Sequence, residues 1–135
     1  MSEKDLSIVI CCIDYRFWPE ALPLIRNKYG DFDLIELAGS SKNLISPLEA
    51  EDKKALLENI EISITLHNPT KIIITNHIDC GAYGGSRQFE SLEAEILFHR
   101  GELIKAKEII ESKFPEMQVM TEFISKNEKG EVILI

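Results

Sequence analysis

No stretch of the chain approaches the roughly 20 consecutive apolar residues that a membrane-spanning helix requires, so no membrane span is expected. Basic residues are in short supply: 15 Lys and Arg stand against 23 Asp and Glu, a formal net charge of −8. No local run of Lys and Arg compensates. Nucleic acids and anionic membrane surfaces need a concentrated basic patch, so neither is an expected partner. The first residues, Met1-Ser2-Glu3-Lys4-Asp5, lack the basic start, apolar middle and small-residue cleavage site of a secretion signal. The expectation is a cytoplasmic protein. Cysteine is scarce and odd in number, with Cys11, Cys12 and Cys80 only. Without a secretion signal, that count argues against a disulfide framework and directs attention to metal ligands and nucleophiles. Repeats, low-complexity segments and linkers are also missing, and 135 residues suit one compact domain spanning 1–135.

What is present is an alternation of strands and helices. Leu6 to Ile13 is a continuous apolar run rich in Ile and Val, as in a strand covered on both faces. Pro19 to Tyr29 carries apolar residues at Ala21, Leu22, Leu24 and Ile25, with Gly30 as a helix stop. Phe32 to Ala38 is a second strand, followed by a polar loop, Gly39 to Asn43. Ser46-Pro47-Leu48-Glu49 predicts a capped helix start with Pro47 in the first turn and Glu49 completing a capping box. That helix should run to about His67, before Asn68-Pro69. Lys71 to Asn76 is a third buried strand, and His77 to Gly85 a glycine-rich turn. A long helix is expected from about Phe89 to Lys113, with Leu92, Ile96, Leu103, Ala106 and Ile110 on one stripe. Met117 to Ser125 is a fourth strand, and Asn127 to Gly130 turns the chain into a last strand, Val132 to Ile135. The pattern implies a three-layer α/β fold. Its central, mostly parallel sheet of about five strands has the order 2-1-3-4, an antiparallel C-terminal edge strand, and helices on its flanks.

In such a sheet the first and third strands are neighbours, and a crevice opens at their carboxyl ends. Cys12 ends the first strand, and His77-Ile78-Asp79-Cys80-Gly81 follows the third. Thiolate and imidazole are preferred zinc ligands, and three protein donors with one open position define a catalytic zinc site. A His-x-x-Cys turn can wrap one ion, with Cys12 closing from the neighbouring strand. Zinc lowers the pKa of bound water to about 7, giving hydroxide at neutral pH. Asp14 and Arg16 share one side of the chain if it stays extended, and an Arg fork can hold a carboxylate bidentately. Asp14 so held either orients the zinc-bound water or swings onto the metal and blocks its open position.

These segments resemble the β-class carbonic anhydrases: Cys12-x-Asp14-x-Arg16, followed later by His77-x-x-Cys80-Gly81. The Ala38-Gly39 pair is similar to that family's Ala-Gly-Asn segment. The resemblance covers about Ser7 to Gly85 and, more loosely, the remainder. It implies one zinc ion per chain on Cys12, His77 and Cys80, and a catalytic dyad of Asp14 and Arg16. It also implies reversible hydration of carbon dioxide to bicarbonate by zinc-bound hydroxide, and a homodimer or higher homo-oligomer. Ser40 stands where the family usually has Asn, and Asn76 where it usually has Gly. The sequence begins almost at the first strand, without the N-terminal helices with which many relatives embrace a partner subunit.

Other readings stay open. The same site suits carbonyl sulfide or carbon disulfide, since the difference lies in pocket shape. A zinc-binding protein without turnover is a second class, and a thiol redox protein using Cys11 and Cys12 a third. Cys11 points away from Cys12 along a strand and is read as core, although a register slip would exchange the two. His67 and His99 are read as structural, and Asp79 as a turn cap, a solvent-facing residue or a metal neighbour. Gly81, Gly84 and Gly85 either let substrate approach or supply positive φ. Tyr15, Phe17 and Trp18 either wall an apolar pocket or pack in the core.

Overall fold

The computed structural model describes residues 5–135; Met1 to Lys4, part of the segment read against a secretion signal, lie outside the described residues. Five strands form one sheet: β1 (Ser7–Cys11), β2 (Phe32–Glu36), β3 (Lys71–His77), β4 (Gln118–Lys126) and β5 (Val132–Leu134). Their order is β2-β1-β3-β4-β5. All neighbours are parallel except β4 and β5. The expected three-layer α/β architecture is therefore the one observed.

The helices are α1 (Trp18–Tyr29), α2 (Lys42–Ile45), α3 (Ala50–His67) and α4 (Leu92–Lys113). Strand alternation sorts the core into two layers. Ile8, Ile10, Ile72 and Ile74 pack with Leu56 and Ile60 of α3 and Leu103, Ala106 and Ile110 of α4. Val9, Cys11 and Ile73 point the other way, onto Ile25 of α1. Cys11 is thus core, as read from the sequence, and burial pushes its thiol up to about 12.

Three boundaries differ from expectation. The polar loop after β2 contains a single helical turn, α2, too short for any hydrophobic period to announce it. Ser46 closes that turn, its N–H bonding the Lys42 carbonyl, so it does not cap the next helix. α3 begins at Ala50, where Glu49 and Asp52 form a reciprocal capping box three residues further on. The long helix begins at Leu92, because Ser91 takes the N-cap and its side chain accepts from the Ala94 N–H. Its buried stripe opens on Glu95 and His99 before continuing through Leu103, Ala106 and Ile110, whereas Leu92 is half exposed. The polar half of the stripe lies behind the glycine-rich turn, and this positions the site.

Ile73 lies at the centre of the sheet with no exposure. Ile73→Ala should lower stability by about 3 kcal/mol through lost burial and a cavity, as read from urea unfolding.

Candidate metal centre

β1 and β3 run parallel in the register Ser7↔Lys71 to Ile10↔Ile74, so their carboxyl ends leave the sheet side by side. Cys12 follows β1 directly, His77 is the last residue of β3, and Cys80 lies three residues on. All three side chains are buried, and their donor atoms lie within 4.8 Å of one another. Sulfur and nitrogen atoms at Zn–S and Zn–N distances of about 2.3 and 2.0 Å from one ion would be spaced comparably. The rest of the geometry fits a metal as well. His77 Nδ1–H donates to the Ile78 carbonyl at 2.6 Å, which leaves the Nε2 lone pair facing the sulfurs. Nε2 is buried and has no hydrogen-bond partner. A buried imine nitrogen left unpaired is costly unless it ligates. Phe17 stacks on the His77 ring at 4.5 Å between centroids and fixes its plane.

Two sulfurs this close share a proton. The Cys80 thiol, and with it the Gly39 amide, draws Cys12 down to about 4, while the same pairing raises Cys80. Thiolate is the form that binds metal. Gly39 contributes its N–H at 3.4 Å from Cys12 Sγ. It does so at φ +83°, where a side chain is strained, and a Cβ would meet the Ala82 and Lys42 side chains at 3.0 and 3.2 Å.

Asp14 and Arg16 are brought together, but not by an extended chain. The Phe17 N–H bonds the Asp14 carbonyl at 3.1 Å, closing a turn. Within it, Asp14 Oδ1 accepts the Arg16 backbone N–H at 2.9 Å, a local Asx-turn. Arg16 then grips the carboxylate with Nε at 3.1 Å and Nη2 at 2.7 Å. These bonds hold the Asp14 carboxyl well below the usual carboxylate range. Asp14 Oδ2 lies 3.8 Å from His77 Nε2, so the carboxylate borders the donor cluster without joining it.

Several neighbours were not legible in the sequence. Asp79 caps the turn, as one reading held, by accepting the Ser86 N–H. It also binds Arg16, through Oδ2 to Nη1 at 2.9 Å. It is not among the clustered donors. Glu95 accepts from the Asp79 N–H and from the Ser86 hydroxyl. The available signal was the 95–99–102 spacing of polar residues on one helical face. Of the three aromatics near the turn, Phe17 alone is buried; Tyr15 is largely exposed and Trp18 borderline. Gly84 and Gly85 both take positive φ, in line with the conformational reading of those glycines.

Behind β3 lies a second polar group. Asn76 Oδ1 accepts from the Ser41 hydroxyl at 2.7 Å, which also meets Tyr83 Oη at 2.9 Å. Asn76 Nδ2 donates to His99 Nδ1 at 3.0 Å, so His99 carries its proton on Nε2. His67, at the end of α3, pairs with Asp33 at 2.7 Å, and neither His67 nor His99 is among the clustered donors.

The chain matches, over residues 2–134, the family described as "Putative carbonic anhydrase". The chain belongs to this carbonic anhydrase family. An uncharacterized protein of Rickettsia conorii is 34% identical over 120 residues, which are 85% of this chain and 64% of that protein. The chain thus spans somewhat less than two thirds of that relative. An uncharacterized protein of Rickettsia bellii is 33% identical over 120 residues, 85% of this chain and 73% of its own length. Among solved structures, a tetrameric β-carbonic anhydrase of the ascomycete Sordaria macrospora superposes with a TM-score of 0.62 at 13% identity. The match covers 99% of this chain and 82% of that one. At that identity it shows a shared fold. No helix among the described residues is long and apolar enough to cross a membrane.

Two outcomes follow from the geometry. Gly39→Ala should cost about 1–3 kcal/mol in urea unfolding, because it forces a side chain into a left-handed backbone. Burial holds His99 down at about 4. Between that value and the unfolded value of about 6.5 the unfolded chain binds the extra proton, so stability falls as pH drops through this window. The loss should be on the order of 3 kcal/mol, and unfolding curves of His99→Gln should lack that part of the slope.

Proposed function

We propose that this chain holds one zinc ion on Cys12, His77 and Cys80 and catalyses the reversible hydration of carbon dioxide to bicarbonate. One observation carries the reading: an ionised carboxylate, Asp14, is held by Arg16 at 3.8 Å from an unpartnered His77 Nε2, which itself faces two cysteine sulfurs. Zinc in such a site supplies water acidic enough to ionise near neutral pH and a positive charge beside the reacting oxygens.

The chain's own residues do the rest. Asp14 accepts a hydrogen bond from the attacking water and so aims a lone pair at the carbon. Arg16 keeps that carboxylate ionised and oriented, because a bidentate guanidinium fixes both distance and plane. Phe17 excludes solvent from one side of His77. The Gly39 amide supports the Cys12 thiolate. Two thiolates cancel the charge of a divalent ion, which makes the water less acidic than three neutral histidines would.

The same reading places the protein in the cytoplasm, as one domain over 1–135 that works as a homodimer or larger homo-oligomer. Family membership and the tetrameric fold neighbour support the assembly.

Stopped-flow hydration of carbon dioxide, on protein with assayed zinc, tests the proposal at about pH 7 and about pH 8.5, which bracket the expected titration. One zinc per chain, a rate rising with pH, and a loss of about 100-fold in Asp14→Ala with zinc retained would support it. Full zinc with no hydration at either pH would overturn it and leave the sulfur analogues or a site without turnover. Unfolding on zinc removal would mark the metal as structural.

A further inference from the structure

The Asp14–Arg16 pair has a weakness as a positioning device. Both residues sit in the turn after β1, two positions apart, and each bond between them moves with that turn. A pair tied only to itself pivots as a unit. What prevents this comes from the other side of the crevice, 63 residues away in the chain. Arg16 Nη1 donates to Asp79 Oδ2, and Arg16 Nη2 to the Asp79 carbonyl, each at 2.9 Å. The guanidinium therefore spans the gap between the turn after β1 and the turn after β3.

Asp79 is held more firmly than its exposure suggests. Its backbone is left-handed, φ +56°, and its N–H donates to Glu95 Oε2 at 2.7 Å. Its Oδ1 accepts the Ser86 N–H at 2.7 Å. Glu95 is 2% exposed and also takes the Ser86 hydroxyl on Oε1 at 2.7 Å, so one α4 carboxylate grips both ends of the segment 79–86. The two Asp79 oxygens have separate tasks: Oδ1 frames the turn and Oδ2 faces Arg16. A surface ion pair with side chains 38% and 45% exposed contributes at most about 1 kcal/mol to stability. Stability is a poor explanation for this arrangement; orientation is a better one.

We propose that Asp79 is a positioning residue for the reaction, holding Arg16 so that Asp14 keeps its place beside the donor cluster, with Glu95 fixing Asp79 from behind. The proposal rests on the function proposed above and names a residue of the same site.

Asp79→Asn is the discriminating variant. Asn tolerates left-handed backbone, and its remaining oxygen can still accept from Ser86. Its amide hydrogens, however, face the Arg16 Nη1 donor, so the side-chain half of the clamp is lost while the turn and the contact of Nη2 with the Asp79 carbonyl survive. Zinc content should stay at one per chain and the thermal midpoint should hardly move. kcat should fall about tenfold with KM little changed, as expected for a misplaced group. In Asp79→Asn combined with Arg16→Ala, the loss should be no larger than in Arg16→Ala alone, since both act through one contact. Independently of turnover, hydrogen exchange of the Arg16 Nη1 hydrogens, which face Asp79 Oδ2, followed by NMR on the zinc-loaded protein, should be slow in the parent chain and faster in Asp79→Asn. Unchanged exchange, an unchanged kcat, or losses that add would each overturn the proposal. If the parent chain hydrates no carbon dioxide, the reaction reading fails on its own, and the exchange measurement still decides whether Asp79 holds Arg16.

Discussion

The site hangs on the parallel pairing of β1 with β3. Four register pairs, from Ser7↔Lys71 to Ile10↔Ile74, bring residues more than sixty positions apart to one sheet edge. Parallel strands cannot be joined by a short hairpin, and here the chain passes through β2 and three helices before it returns. That detour makes the crevice: one turn leaves β1 carrying Cys12, Asp14 and Arg16, another leaves β3 carrying His77, Asp79 and Cys80. A slip of one residue in this register would exchange the faces of every side chain on one strand. Cys11 would then face the crevice and Cys12 the core. Ile8, Val9 and Ile10 are each fully buried, on alternating faces, so such a slip would have to repack both layers of the core at once.

The crevice concentrates groups that are expensive to bury: two sulfurs sharing a proton, an imidazole with an unpartnered nitrogen, and carboxylates around one guanidinium. Each is offset locally. The Cys80 thiol and the Gly39 amide stabilise the Cys12 thiolate, Arg16 stabilises Asp14, and backbone N–H groups serve Glu95 and Asp79. Behind the strand, Asn76 performs the same service for Ser41 and His99. Consecutive residues of β3 thus support opposite layers, Asn76 toward α4 and His77 toward Phe17.

Much of this was legible in the sequence because its causes are local. Doubly buried strands show as unbroken apolar runs, and β1 and β3 were placed within two residues on that ground. The donor set followed from residue chemistry and from the rule that sites open at strand carboxyl ends. What escaped has non-local or competing causes. Two capping sequences, at Ser46 and at Glu49, lie three residues apart, and the turn of α2 decides between them. Asp14 and Arg16 were paired correctly but for an incorrect reason, since a turn rather than an extended strand joins them. The second partner of Arg16 comes from across the crevice, where no periodicity reaches. Glu95 was hidden because a buried carboxylate on a helix stripe looks like an exposed one until the loop that covers it is known.

His77 adds one more consequence. Its ring proton is held by the carbonyl of the next residue in its own chain, not by a side chain. Histidine ligands commonly rely on a neighbouring carboxylate or amide to set the tautomer. Here that duty falls to the main chain, which no point mutation can delete. The imidazole's protonation pattern therefore rests on no side chain, and Ile78, packed against two clusters of the core, is constrained by packing rather than by the donor atom that faces the sulfurs.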